Sequence, residues 1–402
     1  MKILFAVNIP YPEGRANTRR IRSIARELVK QGHKVSILIP YARAPQDSYQ
    51  VIEGANVRWC LIPSNEFEFL NKRKRVKINI QIFSRLKWII QLYKLTKKNE
   101  YEWLYLYQPG IDGFVAELLA KCFGRKIIVE YVDMLLEESF DGFVWRLIYY
   151  TQVMADRLVP LFADVILAIS SSIKNKYDRK NYKSKVILFP TLVDTTKFGK
   201  GDRKYFRCSL NIGERTIVAF TGSFVRTEGL GLLAEAVSRI IKRYPNLFFI
   251  IAGASLVSDS DDADELIERF GLQTNALYLG SITEKEVINL QAAADILVMP
   301  KLDVPVNHSG LATKLSEYLV SENPVIASNV GDVEKYLTNE QDALLVPPSD
   351  CNALENALVR LLSDKKLRRF IGKNGKKVAL NNFDVKINVQ RLVNTLHNIN
   401  LL

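Results

Sequence analysis

The feature that most constrains this chain is an alternation kept from end to end: short runs rich in β-branched and aromatic residues, separated by amphipathic stretches at helical spacing. KILFAVN leads into an amphipathic stretch from about Asn17 to Gln31, ended by Gly32, and then into KVSILIP. WLYLYQ, KIIVEYV, DVILAIS and KVILFP continue the series. The rhythm restarts with TIVAFTG, a helix from about Leu230 to Arg243, LFFIIAG, ALYLG, a helix near Glu284 to Ala294, DILVMP and PVIAS. Strand-length apolar runs spaced by amphipathic helices indicate parallel, doubly wound α/β sheets, here apparently twice. A length of 402 residues fits two domains, since single cores usually stop growing before that size. The expected division is a first domain over 1–195, a polar linker over 196–213 and a second domain over 214–384. A last helix over 385–402 carries Ile387, Val389, Leu392, Val393 and Leu396 as an apolar stripe.

Charge divides the two halves. Lys and Arg exceed Asp and Glu by 14 over residues 1–200 and fall one short over 201–402, giving the net +13. The excess is densest in NKRKRVK and the following INIQIFSRLKWIIQLYKLTKK, where Ile82, Leu86, Ile89, Ile90 and Leu92 accompany Lys87, Lys94, Lys97 and Lys98. That pattern suits either a soluble helix with a solvated basic face or one lying on an anionic membrane surface or pyrophosphate-bearing acceptor. No recognition motif supports nucleic acid as a partner. The start lacks the long apolar core of a secretory signal, no window of about 18 apolar residues suggests a spanning helix, and Cys60, Cys122, Cys208 and Cys351 show neither paired nor metal spacing. The expected location is the cytoplasm, with peripheral attachment to the inner membrane face as a candidate.

Ligands of open parallel sheets bind beyond the carboxyl ends of the strands. TIVAFTG ends at Gly222, followed by Ser223, Arg226, Glu228 and Gly229 and then a helix. A glycine admits phosphate to the backbone, the helix start offers N–H groups, and Arg226 is a candidate bidentate cation; the alternative is a plain turn with an exposed Arg. After DILVMP, a loop through His308, Ser309, Gly310, Leu311, Ala312 and Thr313 leads into a helix bearing Lys314, Leu315 and Glu317. Lys314 and Glu317 lie three apart on one side, while Leu315, Leu319 and Val320 are expected to pack inward. Lys at a helix start opposes the macrodipole unless an anion occupies that end; the alternative is a surface ion pair. In the first half, Gly14, Arg15 and Asn17 form a candidate phosphate or acceptor loop, or a mere capping turn. Glu130 and Asp133, at the end of KIIVEYVD, are candidate catalytic or positioning acids. No HExxH, CxxC cluster, GxSxG or Walker A pattern is present, and no metal site is expected.

GLATKLSEYLVSENPVIAS resembles the donor-site segment of glycosyltransferase family 4. NIPYPEGRANTRRIRSIARELVKQGHKV, DVILAISSSIKNKY, FPTLVDTTKF and TGSFVRTEGLGLLAEAV extend the resemblance along nearly the whole chain in the family's order. It implies the GT-B fold: two Rossmann-like domains facing across a cleft, with the last helix crossing back to the first. It further implies a retaining transfer from a nucleotide-sugar donor to a saccharide or lipid-linked acceptor, without an essential metal or other cofactor, in cell-surface polysaccharide assembly. By the same resemblance Glu317 matches the ribose-binding Glu of an E-x7-E motif, Gly222 the phosphate loop, and Gly310 to Thr313 the backbone contacting the sugar diphosphate. Ser309 stands where that motif has its first Glu, and Glu228 where the family has a Lys, leaving Arg226 or Lys314 as the expected diphosphate cation. A nucleotide-sugar epimerase of the same architecture and a non-catalytic nucleotide-sugar-binding scaffold are the rival readings.

Overall fold

The apolar runs form strands because each supplies side chains to both faces of a sheet covered by helices, the condition under which parallel strands read as continuous hydrophobic runs. The computed structural model describes residues 1–12, 14, 16–40, 49–60, 74–134, 143–179, 182, 184–254 and 259–400. The chain divides into two compact units, Met1–Phe189 and Pro190–Leu402.

The first unit holds β1 (Lys2–Ala6), β2 (Lys34–Ile39), β3 (Tyr49–Ile52), β4 (Ala55–Trp59), β5 (Trp103–Tyr107), β6 (Lys126–Tyr131), β7 (Val165–Ala168) and β8 (Lys185–Leu188). They form one sheet ordered β3-β4-β2-β1-β5-β6-β7-β8, in which only the β3–β4 pair is antiparallel. The first helix runs Ala16–Lys30 and buries Ile21, Ile24, Ala25 and Leu28. Over residues 84–97 of the helix Lys74–Lys97, Trp88, Leu92 and Leu95 are buried, whereas Leu86, Ile90 and Tyr93 are exposed. This corrects the single apolar stripe expected there: Leu92 faces the core while Leu86 and Ile90 share the outer face with lysines. The residues 71–73 of the basic knot lie outside the described residues.

The second unit holds β9 (Thr216–Ser223), β10 (Leu247–Ala254), β11 (Ala276–Tyr278), β12 (Ile296–Met299), β13 (Val325–Ser328) and β14 (Leu344–Val346). The order β11-β10-β9-β12-β13-β14 is parallel throughout. Helix Leu230–Ile240 packs against the sheet through Leu230, Leu233, Ala234 and Val237, which join Phe220, Phe249, Val298 and Ile326 in one core. Helix Glu284–Ala293 starts where expected, with a capping box between Thr283 and Glu286. The stretch read as a linker folds instead: Asp202 caps a helix Arg203–Ser209, and Arg203 and Arg207 each reach Asp295 at 2.6 Å. Sequence periodicity could not show this, because the anchor is a carboxylate about ninety residues later. In the last helix, Val385–Asn400, Val389, Leu392, Val393 and Leu396 are buried and Ile387 is exposed.

Candidate functional site

Five segments of the second unit converge at the carboxyl end of β9. Gly222 has φ 145, and a Cβ there would lie 2.7 Å from the ammonium of Lys314, so only glycine leaves room for that ammonium. Beyond it the turn Arg226–Glu228 ends at Gly229 (φ 75), whose absent side chain admits the Pro300 carbonyl. The helix Thr313–Val320 follows Ala312, which offers no side-chain cap, and its Tyr318 hydroxyl accepts from Thr221 N at 2.8 Å. That bond ties the helix to the end of β9 and fixes Lys314 and Glu317 relative to Gly222. Leu315, Leu319 and Val320 pack inward as the spacing predicts.

The Lys314 ammonium sits 4.1 Å from the centroid of the Phe220 ring and 2.7 Å from Glu228 Oε2. Lys301 Nζ approaches Glu228 Oε1 at 2.7 Å and donates to Asn307 Oδ1 at 2.9 Å. Asn307 in turn donates to the Thr227 and Leu302 carbonyls, both at 2.8 Å, which locks the turn. Burial would raise the Glu228 carboxyl, but Lys314 and Lys301 outweigh it and hold it at about 2. The cluster therefore carries two positive charges and one negative. Glu228 is shared between Lys314 and Lys301, so one positive charge remains over at the end of the turn. Lys301 and Glu228 were missed as site residues in the sequence, although Lys301 follows the end of β12, where the crevice rule points.

The other expected site residues are distributed as follows. Arg226 is exposed and pairs with Asp259 at 2.9 Å, turned away from the lysine cluster's carboxylate. His308 is exposed, its Nε2 2.7 Å from Asp303. Ser309 is buried and donates to the Val306 carbonyl at 2.9 Å. Leu311 and Glu317 are buried, Ser223 ends β9, and Gly310, Ala312 and Thr313 form the approach to the helix.

In the first unit Glu130 is wholly buried at the end of β6, where Oε1 accepts from Arg20 Nε at 2.6 Å and Oε2 from the Tyr105 hydroxyl at 2.6 Å. Arg20 also donates to the Phe189 carbonyl at 2.9 Å. Both Glu130 oxygens are engaged, so the candidate catalytic acid is seen as an internal strut rather than an open base. Asp133 is exposed, and its backbone carbonyl accepts from the Gln108 amide at 3.0 Å. Gly14 packs against Thr18, whose hydroxyl donates to the Pro10 carbonyl at 2.7 Å, and Asn17 Oδ1 accepts from Thr18 N. Arg15 lies outside the described residues. Among the described residues no three His, Cys, Asp or Glu side chains gather as a metal site.

Residues 202–378 match the family model "Glycosyl transferases group 1". The chain is 23% identical over 325 residues to the Staphylococcus aureus capsular polysaccharide biosynthesis glycosyltransferase CapM, covering 78% of this chain and 80% of that protein. It is 26% identical over 331 residues, with the same shares covered, to an Escherichia coli UDP-Gal:alpha-D-GlcNAc-diphosphoundecaprenol alpha-1,3-galactosyltransferase. Among solved structures it resembles sucrose-phosphate synthase from Thermosynechococcus elongatus, with TM-score 0.76, 19% identity and 99% of both chains covered. Anabaena Alr3699/HepE in complex with UDP-glucose superposes with TM-score 0.72 at 18% identity, over 99% of this chain and all of that one. Residues 202–378 are thus similar to the group 1 glycosyltransferases, and the likeness to solved structures gives the chain the GT-B fold.

Proposed function

We propose that this glycosyltransferase moves a sugar, with retention at the anomeric carbon and without an essential metal, from a nucleotide-sugar donor held by the second unit to a saccharide or lipid-linked acceptor taken by the first. The observation that carries the reading is the surplus positive charge beside Gly222, where the Lys314 and Lys301 ammonium groups share the single carboxylate of Glu228. A diphosphate oxygen at the glycine turn would balance that remaining charge with a charge-assisted hydrogen bond. Lys314 and Lys301 then stabilise the diphosphate as its bond to the sugar breaks, with Glu228 keeping both ammonium groups in place. The uncapped start of the helix Thr313–Val320 adds partial positive charge at the same end. Glu317, three residues after Lys314 on that helix, receives the ribose. The leaving phosphate accepts the acceptor's proton during front-side attack, so no separate base is needed.

Similarity to a capsule glycosyltransferase and to an enzyme named for a diphosphoundecaprenol acceptor supports a role in cell-surface polysaccharide assembly. Tyr93 on helix Lys74–Lys97 meets Phe123, which follows helix Ile111–Cys122, in a ring contact, and Leu86, Ile90, Val115, Leu118 and Phe123 on the same two segments are exposed. Lys87, Lys94 and Lys97 border this apolar patch, a composition suited to the interface of an anionic bilayer. Among the described residues no helix is long and apolar enough to cross a membrane.

Calorimetric titration of UDP, GDP, ADP and CMP into wild type and Lys314→Ala tests the donor reading. One preferred nucleotide, weakened about tenfold or more in the variant, a loss of roughly 1.4 kcal/mol, is expected. Equal binding by both proteins would remove Lys314 from the donor site, and turnover to an isomerised donor would favour an epimerase. Co-sedimentation with phosphatidylglycerol vesicles should fall in a Leu86→Ser/Ile90→Ser variant; unchanged sedimentation would discard the patch.

A further inference from the structure

A second basic feature of the Pro190–Leu402 unit lies at the opposite end of its sheet. A cavity of about 410 Å³ is lined by Thr216, the first residue of β9, by Asp295 just before β12, and by Pro324 just before β13. These are the amino ends of the strands. Gly222 lies six residues along β9, about 20 Å away at roughly 3.3 Å per residue, so the cavity is not part of the donor turn.

Six cations line it: Arg203, Arg207, Arg215, Lys365, Arg368 and Arg369. Three carboxylates stand with them, and two are committed. Asp295 is clasped by Arg203 and Arg207, and Glu322 pairs with Lys376 at 2.7 Å. Among the described residues, Arg215, Lys365, Arg368 and Arg369 have no carboxylate within ion-pair distance, leaving Glu214 as the single uncommitted acid. Arg368 is the central member. Its guanidinium is half-buried and held by the Leu361 and Leu362 carbonyls, which orient it without neutralising it. Burial pushes it below the usual Arg range, with Arg203 and Arg369 working in the same direction and Asp295 and Asp364 opposing. Lys365 and Arg368 stand in the first turn of the helix Lys365–Asn382, whose N-terminal N–H groups are capped by the Asp364 carboxylate, so the cavity's positive charge comes from its side chains rather than from the helix end. Packing four unpaired cations around a concave space is unfavourable unless an anion occupies it.

We propose that this cavity is a second anion site, separate from the donor turn, that binds a multiply charged phosphate group through Arg368 at its centre and Arg215, Lys365 and Arg369 at its rim. The same chemistry is offered by a soluble di- or polyphosphate and by the headgroups of an anionic bilayer, and the test separates the two.

Pyrophosphate is titrated by calorimetry, at low ionic strength, into the full chain as wild type, Lys365→Gln/Arg369→Gln and Lys314→Gln. Both rim side chains are exposed and lie outside the ion pairs above, so the double variant should melt with wild type. A soluble ligand is indicated if pyrophosphate affinity drops at least tenfold in the double variant and stays within twofold in Lys314→Gln. A lipid headgroup is indicated if pyrophosphate does not bind but phosphatidylglycerol vesicles retain wild type and release the double variant. Arg215→Gln, on a different segment, should weaken the same ligand if the cavity is one site. The proposal is overturned if neither probe binds wild type, if the double variant binds as wild type does, or if Lys314→Gln alone abolishes pyrophosphate binding.

Discussion

Each unit buries a glutamate among cations, and the two clusters are balanced differently. In the first, Glu130 meets one guanidinium and one phenol, both its oxygens are taken, and Arg20 has the Phe189 carbonyl as a further acceptor. In the second, Glu228 is shared by two ammonium groups, which leaves one positive charge over beside Gly222. A closed cluster has nothing left to offer a ligand and serves to join helix Ala16–Lys30 to β6. An open cluster keeps a surplus charge at the mouth of a glycine turn. Counting donors against acceptors thus separates a strut from a site where burial alone does not.

The comparison can be broken most severely at Arg20. Arg20→Ala strands a fully buried carboxylate, and urea unfolding should show a loss of about 3–5 kcal/mol. A loss under about 1 kcal/mol would mean that the first cluster is not structural. Glu228→Gln leaves two ammonium groups facing each other and should cost about 2 kcal/mol, part of it restored by adding the preferred nucleotide. No ligand rescue would count against an anion seat between Lys314 and Lys301.

Titration sharpens the contrast further. With its folded carboxyl held at about 2, below the ordinary 4.5, Glu228 contributes stability above pH 4.5 that disappears as pH falls towards 2. Glu117, on helix Ile111–Cys122, is the reverse: burial, opposed by Lys121 and aided by Asp164, lifts it to about 9, and neither oxygen finds a hydrogen-bond donor among the described residues. It stays protonated in the fold while the unfolded chain ionises from pH 4.5 upward, so the wild type loses stability between pH 4.5 and 9. Glu117→Gln should therefore gain on wild type by more than about 1 kcal/mol between pH 5 and pH 8, read from melting at the two values. A constant difference would place Glu117 in a polar environment. Smallest of all, Arg226→Ala removes an exposed pair with Asp259 and should change stability by less than about 0.5 kcal/mol. A large loss of nucleotide affinity in that variant would show Arg226 turning inward when the donor binds.

Sequence periodicity located the two sheets, the helices Leu230–Ile240 and Glu284–Ala293, and the inward packing of Leu315, Leu319 and Val320, because these follow from the side-chain repeat of each element. The crevice rule found Gly222 and Lys314 for the same local reason. The same rule covers Lys301 and the turn that bears Glu228, but their pairing spans more than seventy residues and only the fold shows it, as it shows Arg226 beside the exposed Asp259. The helix Lys74–Lys97 shows a further limit: its apolar residues occupy both faces, so spacing alone did not tell Leu92 from Leu86.

What the amino-acid order determined by itself is the architecture, two doubly wound parallel sheets, together with the glycine turns at the ends of their strands. Those features come from repeats of two and 3.6 residues and from positions where only glycine fits. What only the tertiary structure decided is the charge balance: which carboxylate neutralises which cation, and which cations remain over. Glu130 and Glu228 are both acids placed near a strand end or the turn that follows one. The number of cations each fold brings within 3 Å balances the first and leaves the second with a surplus positive charge.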